Sequence, residues 1–192
     1  MAESGAQEEL RIGVTGHRVL TEVPRVLAGV EAALDRIEAA FPGRPLVVVS
    51  CLAEGADRLV AEAVLRREGA RLVAVSPMPR RELVADFTTA ESLAEFEGLL
   101  ARAAEVVELP ARATRNEAYA AANERMLDGI DVLVAVWDGE GALGRGGTAE
   151  VFAQARARRM PIAWVHAGSR RPGILEPTAL GADQGNVTYE NL

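Results

Sequence analysis

The chain has 192 residues, 49% hydrophobic and 26% charged, a balance that fits one globular domain and requires no second one. Its formal net charge of −7 opposes broad contact with a nucleic-acid backbone, and aromatic residues at 4% supply little for stacking bases. A single cysteine, Cys51, excludes an internal disulfide framework and fits a reducing, cytoplasmic setting.

No apolar run approaches the roughly twenty residues of a bilayer span, and no basic start leads into an apolar run, so neither membrane insertion nor export is expected. Residues 1–9 are polar and aperiodic, the pattern of a disordered tail. Leu10 to Val14 reads as a buried first strand, and Val23, Val26, Leu27, Val30, Leu34 and Ile37 give helical spacing over 22–41, ended by Pro42 and Gly43. The β-branched run Leu46 to Val49 is the mark of a strand covered on both faces, followed by a helix over 56–67. Arg71 to Val75 repeats the pattern, and Ser76-Pro77-Met78-Pro79 closes it.

Helical spacing returns over 89–103, a short strand falls at 105–109, and a helix follows over 116–127. Asp131 to Trp137 is the clearest strand in the chain; a glycine-rich loop from Gly139 to Gly147, a helix over 148–158 and a strand at 162–165 come after it. From Ala167 on, the sequence is turn-rich, so 167–192 reads as loops or a terminal arm. Strands alternating with helices predict one Rossmann-like α/β domain over 10–166, three layers deep, with a mostly parallel sheet. In such sheets the ligand crevice lies beyond the carboxyl ends of the strands.

Three polar or glycine clusters fall at those ends. In Gly13-Val14-Thr15-Gly16-His17-Arg18, Gly16 allows a tight turn while Thr15, His17 and Arg18 bring a hydroxyl, an imidazole and a guanidinium to one loop, a set suited to phosphate or carboxylate. In the second, Ser50 to Asp57, the loop opens a helix whose free amides, near Gly55, can receive an anion. There Asp57 is either a helix-start carboxylate or a ligand group, and Glu54 is placed to bind a ribose hydroxyl pair. In the third, Asp138 to Glu150, Gly146, Gly147 and Thr148 open a helix, so amides and a hydroxyl can surround a phosphate without a lysine.

Asn123 and Tyr119, four apart on one helix, are candidates to line the same pocket, and Asp86 and Phe87 sit in a Pro-flanked connection that could form a lid. His166 after the last strand is either catalytic or a surface histidine, Trp137 and Trp164 read as packing residues, and no histidine accompanies Cys51 as a nucleophile would require. No close Cys or His pair gives a metal signature, although Asp57, Asp138 or Glu140 could hold a Mg2+ ion brought in with phosphate.

These clusters resemble the Rossmann-like SLOG superfamily, which includes the DNA-processing protein DprA and the LOG phosphoribohydrolases once labelled lysine decarboxylases. The likeness spans about residues 10–166 and rests on Gly13 to Arg18, on Gly146-Gly147-Thr148, and on the DprA-type set Ser50, Ala53, Gly55 and Asp57. It implies a nucleotide or nucleotide-derived ligand with its phosphate near Gly146-Gly147-Thr148, and a LOG-type enzyme would cleave the N-glycosidic bond of a nucleoside monophosphate.

The chain departs from the LOG pattern. The arginine position falls on Ala122, Glu150 follows Thr148 by two residues rather than three, and Trp137-Asp138-Gly139 replaces a Pro-Gly-Gly lead. In a hydrolase Glu150 or Glu54 would steer water to the anomeric carbon and Arg18 would support charge on the substrate, with Arg115 or Arg125 as substitutes. A module that only senses a nucleotide uses the same pocket without an aligned carboxylate. A DprA-like role with nucleic acid is opposed by the charge and the scarce aromatics. The Ala- and Arg-rich face from Gln154 to Arg159 suits a contact between subunits, so a homo-oligomer is expected.

Overall fold

The computed structural model describes residues 8–141, 147–169 and 175–192. Most of the expected tail and Gly146 therefore lie outside the described residues. The strands are β1 (Leu10–Gly16), β2 (Leu46–Ser50), β3 (Arg71–Ser76), β4 (Glu105–Glu108), β5 (Val132–Trp137), β6 (Ile162–His166) and β7 (Val187–Glu190). The helices are α1 (Val23–Ala40), α2 (Ala56–Leu65), α3 (Arg80–Leu83), α4 (Ala90–Arg102), α5 (Arg115–Leu127) and α6 (Thr148–Ala157). No described helix is long and apolar enough to cross a membrane.

One sheet runs in the order β4-β3-β2-β1-β5-β6-β7, parallel except for the β6–β7 pair. The two-residue period of the strands separates its faces. Val48 of β2 and Ile12 and Val14 of β1 pack with Val30 and Leu34 of α1 and Val60 of α2. Val47 and Val49 turn the other way, toward Met126 of α5 and Phe152 of α6. Both faces are thus covered, which is why the strands read as unbroken apolar runs, and each fully buried valine stabilises the fold by up to about 2 kcal/mol. The result is the three-layer α/β/α architecture expected from the sequence.

Helix α1 forms because Pro24 fits its first turn and Val26, Val30, Ala33, Leu34 and Ile37 make one buried stripe. Helix α5 starts at a capping box: Thr114 Oγ1 accepts from the Glu117 amide and Glu117 Oε2 from the Thr114 amide, both at 3.2 Å. Such a cap contributes about 1 kcal/mol and fixes where α5 begins, which matters because α5 walls the site.

The end of the chain departs from the expectation of a loop or arm. Val187–Glu190 returns antiparallel to β6, with Val187 opposite Val165 and Tyr189 opposite Ala163. The side chain of Gln184, buried at 2% exposure, holds this return in place: its oxygen accepts from the Gly168 and Leu180 amides and its nitrogen donates to Thr21 O. Arg156 and Arg158, on the face expected to meet a second subunit, pair within the chain with Glu190 and Asp128.

The connectivity creates one switch point. The chain steps from β1 outward through β2 and β3 to β4, then α5 carries it back across to β5 on the opposite side of β1. The carboxyl ends of β1 and β5 are where crossovers diverge and a crevice opens.

Candidate functional site

Pairing of Gly16 with Val136 sets the ends of β1 and β5 side by side, and the His17 amide continues the ladder to Val136 O at 3.0 Å. A methyl group on Gly16 would lie 2.4 Å from Val136 O and 2.4 Å from Ala56 Cβ. This corrects the expectation of a tight turn: Gly16 is the last residue of the strand, and close approach is what requires a glycine there. Gly55 has φ 76, and a side chain on it would meet His17 O and Arg18 O at 2.4 and 2.5 Å. With the Ala56 amide donating to His17 O at 3.0 Å, the loops after β1 and β2 are pinned together. Gly55 therefore positions the crevice wall and does not line it.

The loop after β2 is built around Asp57. Its Oδ2 accepts from Ser50 Oγ at 3.0 Å and from the Ala53 amide at 3.3 Å, while Ser50 Oγ accepts from the Leu52 amide at 3.0 Å. Leu52 is held at φ 55, a left-handed conformation costing a leucine roughly 1–2 kcal/mol, offset by its burial. Asp57 is 6% exposed, and burial pushes its carboxyl up to about 6, against the Ser50 and backbone hydrogen bonds and the nearby Arg18 charge that favour ionisation. Ser50, expected to touch ligand, is fully buried and engaged in this loop, so it positions Asp57 instead. Burial, and then the Asp57 charge, also raise the half-buried Cys51 thiol, which disfavours its thiolate.

Arg18 lies with its guanidinium carbon 5.2 Å from the centre of the Tyr119 ring. The Tyr119 hydroxyl donates to Asp86 Oδ2 at 2.7 Å, and Asp86 Oδ1 pairs with Arg115 at 2.7 Å. Burial first, then the hydrogen bond to Asp86, raise the Tyr119 phenol. Asp86 is thus occupied by Arg115 and Tyr119, and Arg18 has no carboxylate partner within salt-bridge distance among the described residues. The segment holding Asp86 is anchored as well, with Phe87 packed on Phe96 at 4.8 Å.

On the β5 side, His17 Nε2 lies 3.1 Å from the Asp138 amide and 3.2 Å from Asp138 Oδ2. Burial lowers the histidine against the pull of Asp138, so the neutral ring accepts from the amide, and protonation turns the contact into an ion pair with the carboxylate. Helix α6 begins at Gly147 with no side-chain cap. The Glu150 and Val151 amides already donate to Gly147 O, which leaves the amides before them as the donors at the positive end of the helix dipole.

These parts enclose a cavity of about 370 Å³, lined by Thr15, Arg18, Asp57, Tyr119, Asn123 and Thr148, with His17, Gly16 and Gly147 in its wall. Asp57 is the only acidic side chain lining it among the described residues. No protein-family model and no curated protein matches the chain.

The structure does not bring the other expected carboxylates into this space. Glu54 accepts from Ser92 Oγ and lines a small adjoining cavity, and Glu150 lines a groove between α5 and α6, where its Oε1 lies 3.5 Å from Gln154 Nε2. Asp138 braces His17 and the Glu140 amide from behind the wall. His166 is stacked on Trp164 and bonded to Thr188, and Trp137 and Trp164 pack on Phe152, so all three are structural. Among the described residues no group of three or more His, Cys, Asp or Glu side chains could hold a metal ion.

Asn116 was missed. It opens α5 and lines the cavity together with Tyr119 and Asn123, at i, i+3 and i+7 of one helical face. That spacing was present in the sequence.

Proposed function

We propose that the crevice between the ends of β1 and β5 binds a nucleotide or nucleotide-derived phosphorylated ligand, with phosphate between Arg18 and the Gly147-Thr148 turn. The observation that carries this reading is Arg18, held over Tyr119 with no carboxylate at salt-bridge distance among the described residues, in a cavity that also takes the start of α6. A guanidinium without a carboxylate partner and a set of free helix amides both call for an anion with several acceptor oxygens. The amides of Asn116 and Asn123 and the hydroxyl of Thr15 supply the donors and acceptors that a ribose and base edge require.

The reading is one of binding. Cleavage of an N-glycosidic bond is a second reading, and it now rests on Asp57, whose carboxyl near pH 6 suits acid–base work, because Glu54 and Glu150 line other spaces. The test is incubation with nucleoside monophosphates, cyclic nucleotides, NAD and ADP-ribose, followed by native and liquid-chromatography mass spectrometry. Retention of intact ligand that falls at least tenfold in Arg18→Ala, about 1.4 kcal/mol, supports the binding module. Release of free base that stops in Asp57→Asn supports the hydrolase. Equal retention by Arg18→Ala and the parent sinks the phosphate assignment.

A further inference from the structure

A second and larger cavity, about 690 Å³, adjoins the crevice. Asn116 lines both. The two helices that wall the crevice also wall this groove, each with its next face. On α5, Asn116, Tyr119 and Asn123 face the crevice, while Glu117, Ala120 and Glu124, each one position on, face the groove together with Ala121. On α6, Gly147 and Thr148 belong to the crevice, and Glu150 and Gln154 to the groove. Such a shift of about 100° per residue places the faces edge to edge, so the start of α6 stands at the seam between the spaces.

We infer that the ligand has two parts, a nucleoside in the crevice and a neutral polyhydroxyl group such as a sugar in the α5–α6 groove, joined by a diphosphate at the seam. This rests on the binding reading above and extends it to a ligand class. The chemistry of the groove selects its occupant. Three carboxylates, Glu117, Glu124 and Glu150, line it against one cation, Arg112, and this acidic balance opposes a further phosphate there. Carboxylates accept from hydroxyl groups, and the side-chain amides of Asn116 and Gln154 both donate and accept, the set that sugars need. Ala120 and Ala121 keep the floor low enough for a ring to lie on it.

The experiment compares ribonucleoside monophosphates, diphosphates and diphosphate glucoses by calorimetry on the parent, Ala120→Phe, Glu124→Ala and Arg18→Ala, with folding checked by circular dichroism. The expected result is that a diphosphate glucose binds the parent about tenfold tighter than the matching diphosphate. Ala120→Phe, which fills the groove, removes that gain and leaves the monophosphate affinity within about twofold, and Arg18→Ala weakens every probe. Glu124→Ala, at an exposed position, reduces the gain and keeps the inference testable if the phenylalanine disturbs α5. If glucose adds nothing in the parent, or if its gain survives both groove variants, the two-part ligand is wrong while the crevice reading stands. Binding of no probe overturns both.

Discussion

At the amino ends of the strands, Asp131 accepts from the Arg11 amide at 2.9 Å and pairs with Arg44 at 3.2 Å, and Arg11 Nε donates to Gly129 O at 2.6 Å. At the carboxyl ends of the same sheet, Arg18 has no carboxylate at salt-bridge distance among the described residues, Asp57 is buried where ionisation is costly, and Leu52 is held in a left-handed conformation. Every charged group named at the first end has a partner that lowers its energy. At the second, three local rules are broken within one loop pair, and the surrounding packing has to hold them. Proteins tolerate such local conflict chiefly where a ligand resolves it, so the contrast supports the binding role proposed for the carboxyl end.

The largest expected effect comes from forcing the two loops of the working end apart. Gly16→Ala would place a methyl group within 2.4 Å of Val136 O, an atom of the sheet backbone that cannot step aside. The expected cost is roughly 1–3 kcal/mol of stability by denaturant unfolding, with loss of nucleotide retention even under conditions where the protein remains folded. If the variant keeps both its stability and its ligand, the close approach of β1 to β5 is not what shapes the crevice.

Next in size is Asp57→Asn. A carboxyl raised from 3.8 to about 6 binds its proton more tightly in the folded chain than in the unfolded one. Its effect on stability is therefore absent below about pH 4, grows more unfavourable as pH rises to about 6, and is constant above that. Asparagine cannot ionise. The stability of the variant relative to the parent should therefore climb across this window, by on the order of 1–3 kcal/mol, and stay level from there to pH 8. A difference that does not change with pH would mean that the Ser50 and backbone hydrogen bonds compensate the burial in full, and the site would lose one of its three conflicts.

The sheet could be read from the sequence because strands buried on both faces must be apolar throughout, as Leu46 to Val49 and Val132 to Val136 are. Val187–Glu190 could not: it is a short edge strand, only one flank is paired, and its four residues are held by Gln184 and by contacts with β6 that no local pattern announces. The site was legible to the same extent as its glycines and its loop charges. Arg18, Asp57 and Thr148, which line the cavity, stood out in the sequence because polar residues are conspicuous at strand ends. Glu54 and Glu150 were misplaced because sequence distance from Gly55 or Thr148 does not say which face of a helix or loop a side chain takes, and a single residue of offset turns it by about 100°. The pairing of Asp86 with Arg115 and Tyr119 is a long-range event that only packing decides.

The smallest expected effect lies at the opposite end and sharpens the contrast most directly. Asp131→Ala removes an acceptor from the Arg11 amide and the partner of Arg44, and the carboxylate is 42% exposed, so water takes over part of both roles. A loss of about 1 kcal/mol is expected, seen as a modest fall in the unfolding midpoint that shrinks at high salt. Nucleotide affinity should not move, since Asp131 lies at the other end of a sheet whose strands run roughly 15–20 Å, about two Debye lengths at physiological salt. A change in affinity on this substitution would show that the charge network at the amino ends reaches the crevice through β1 and β5, and the separation of a stabilising end from a binding end would then be wrong.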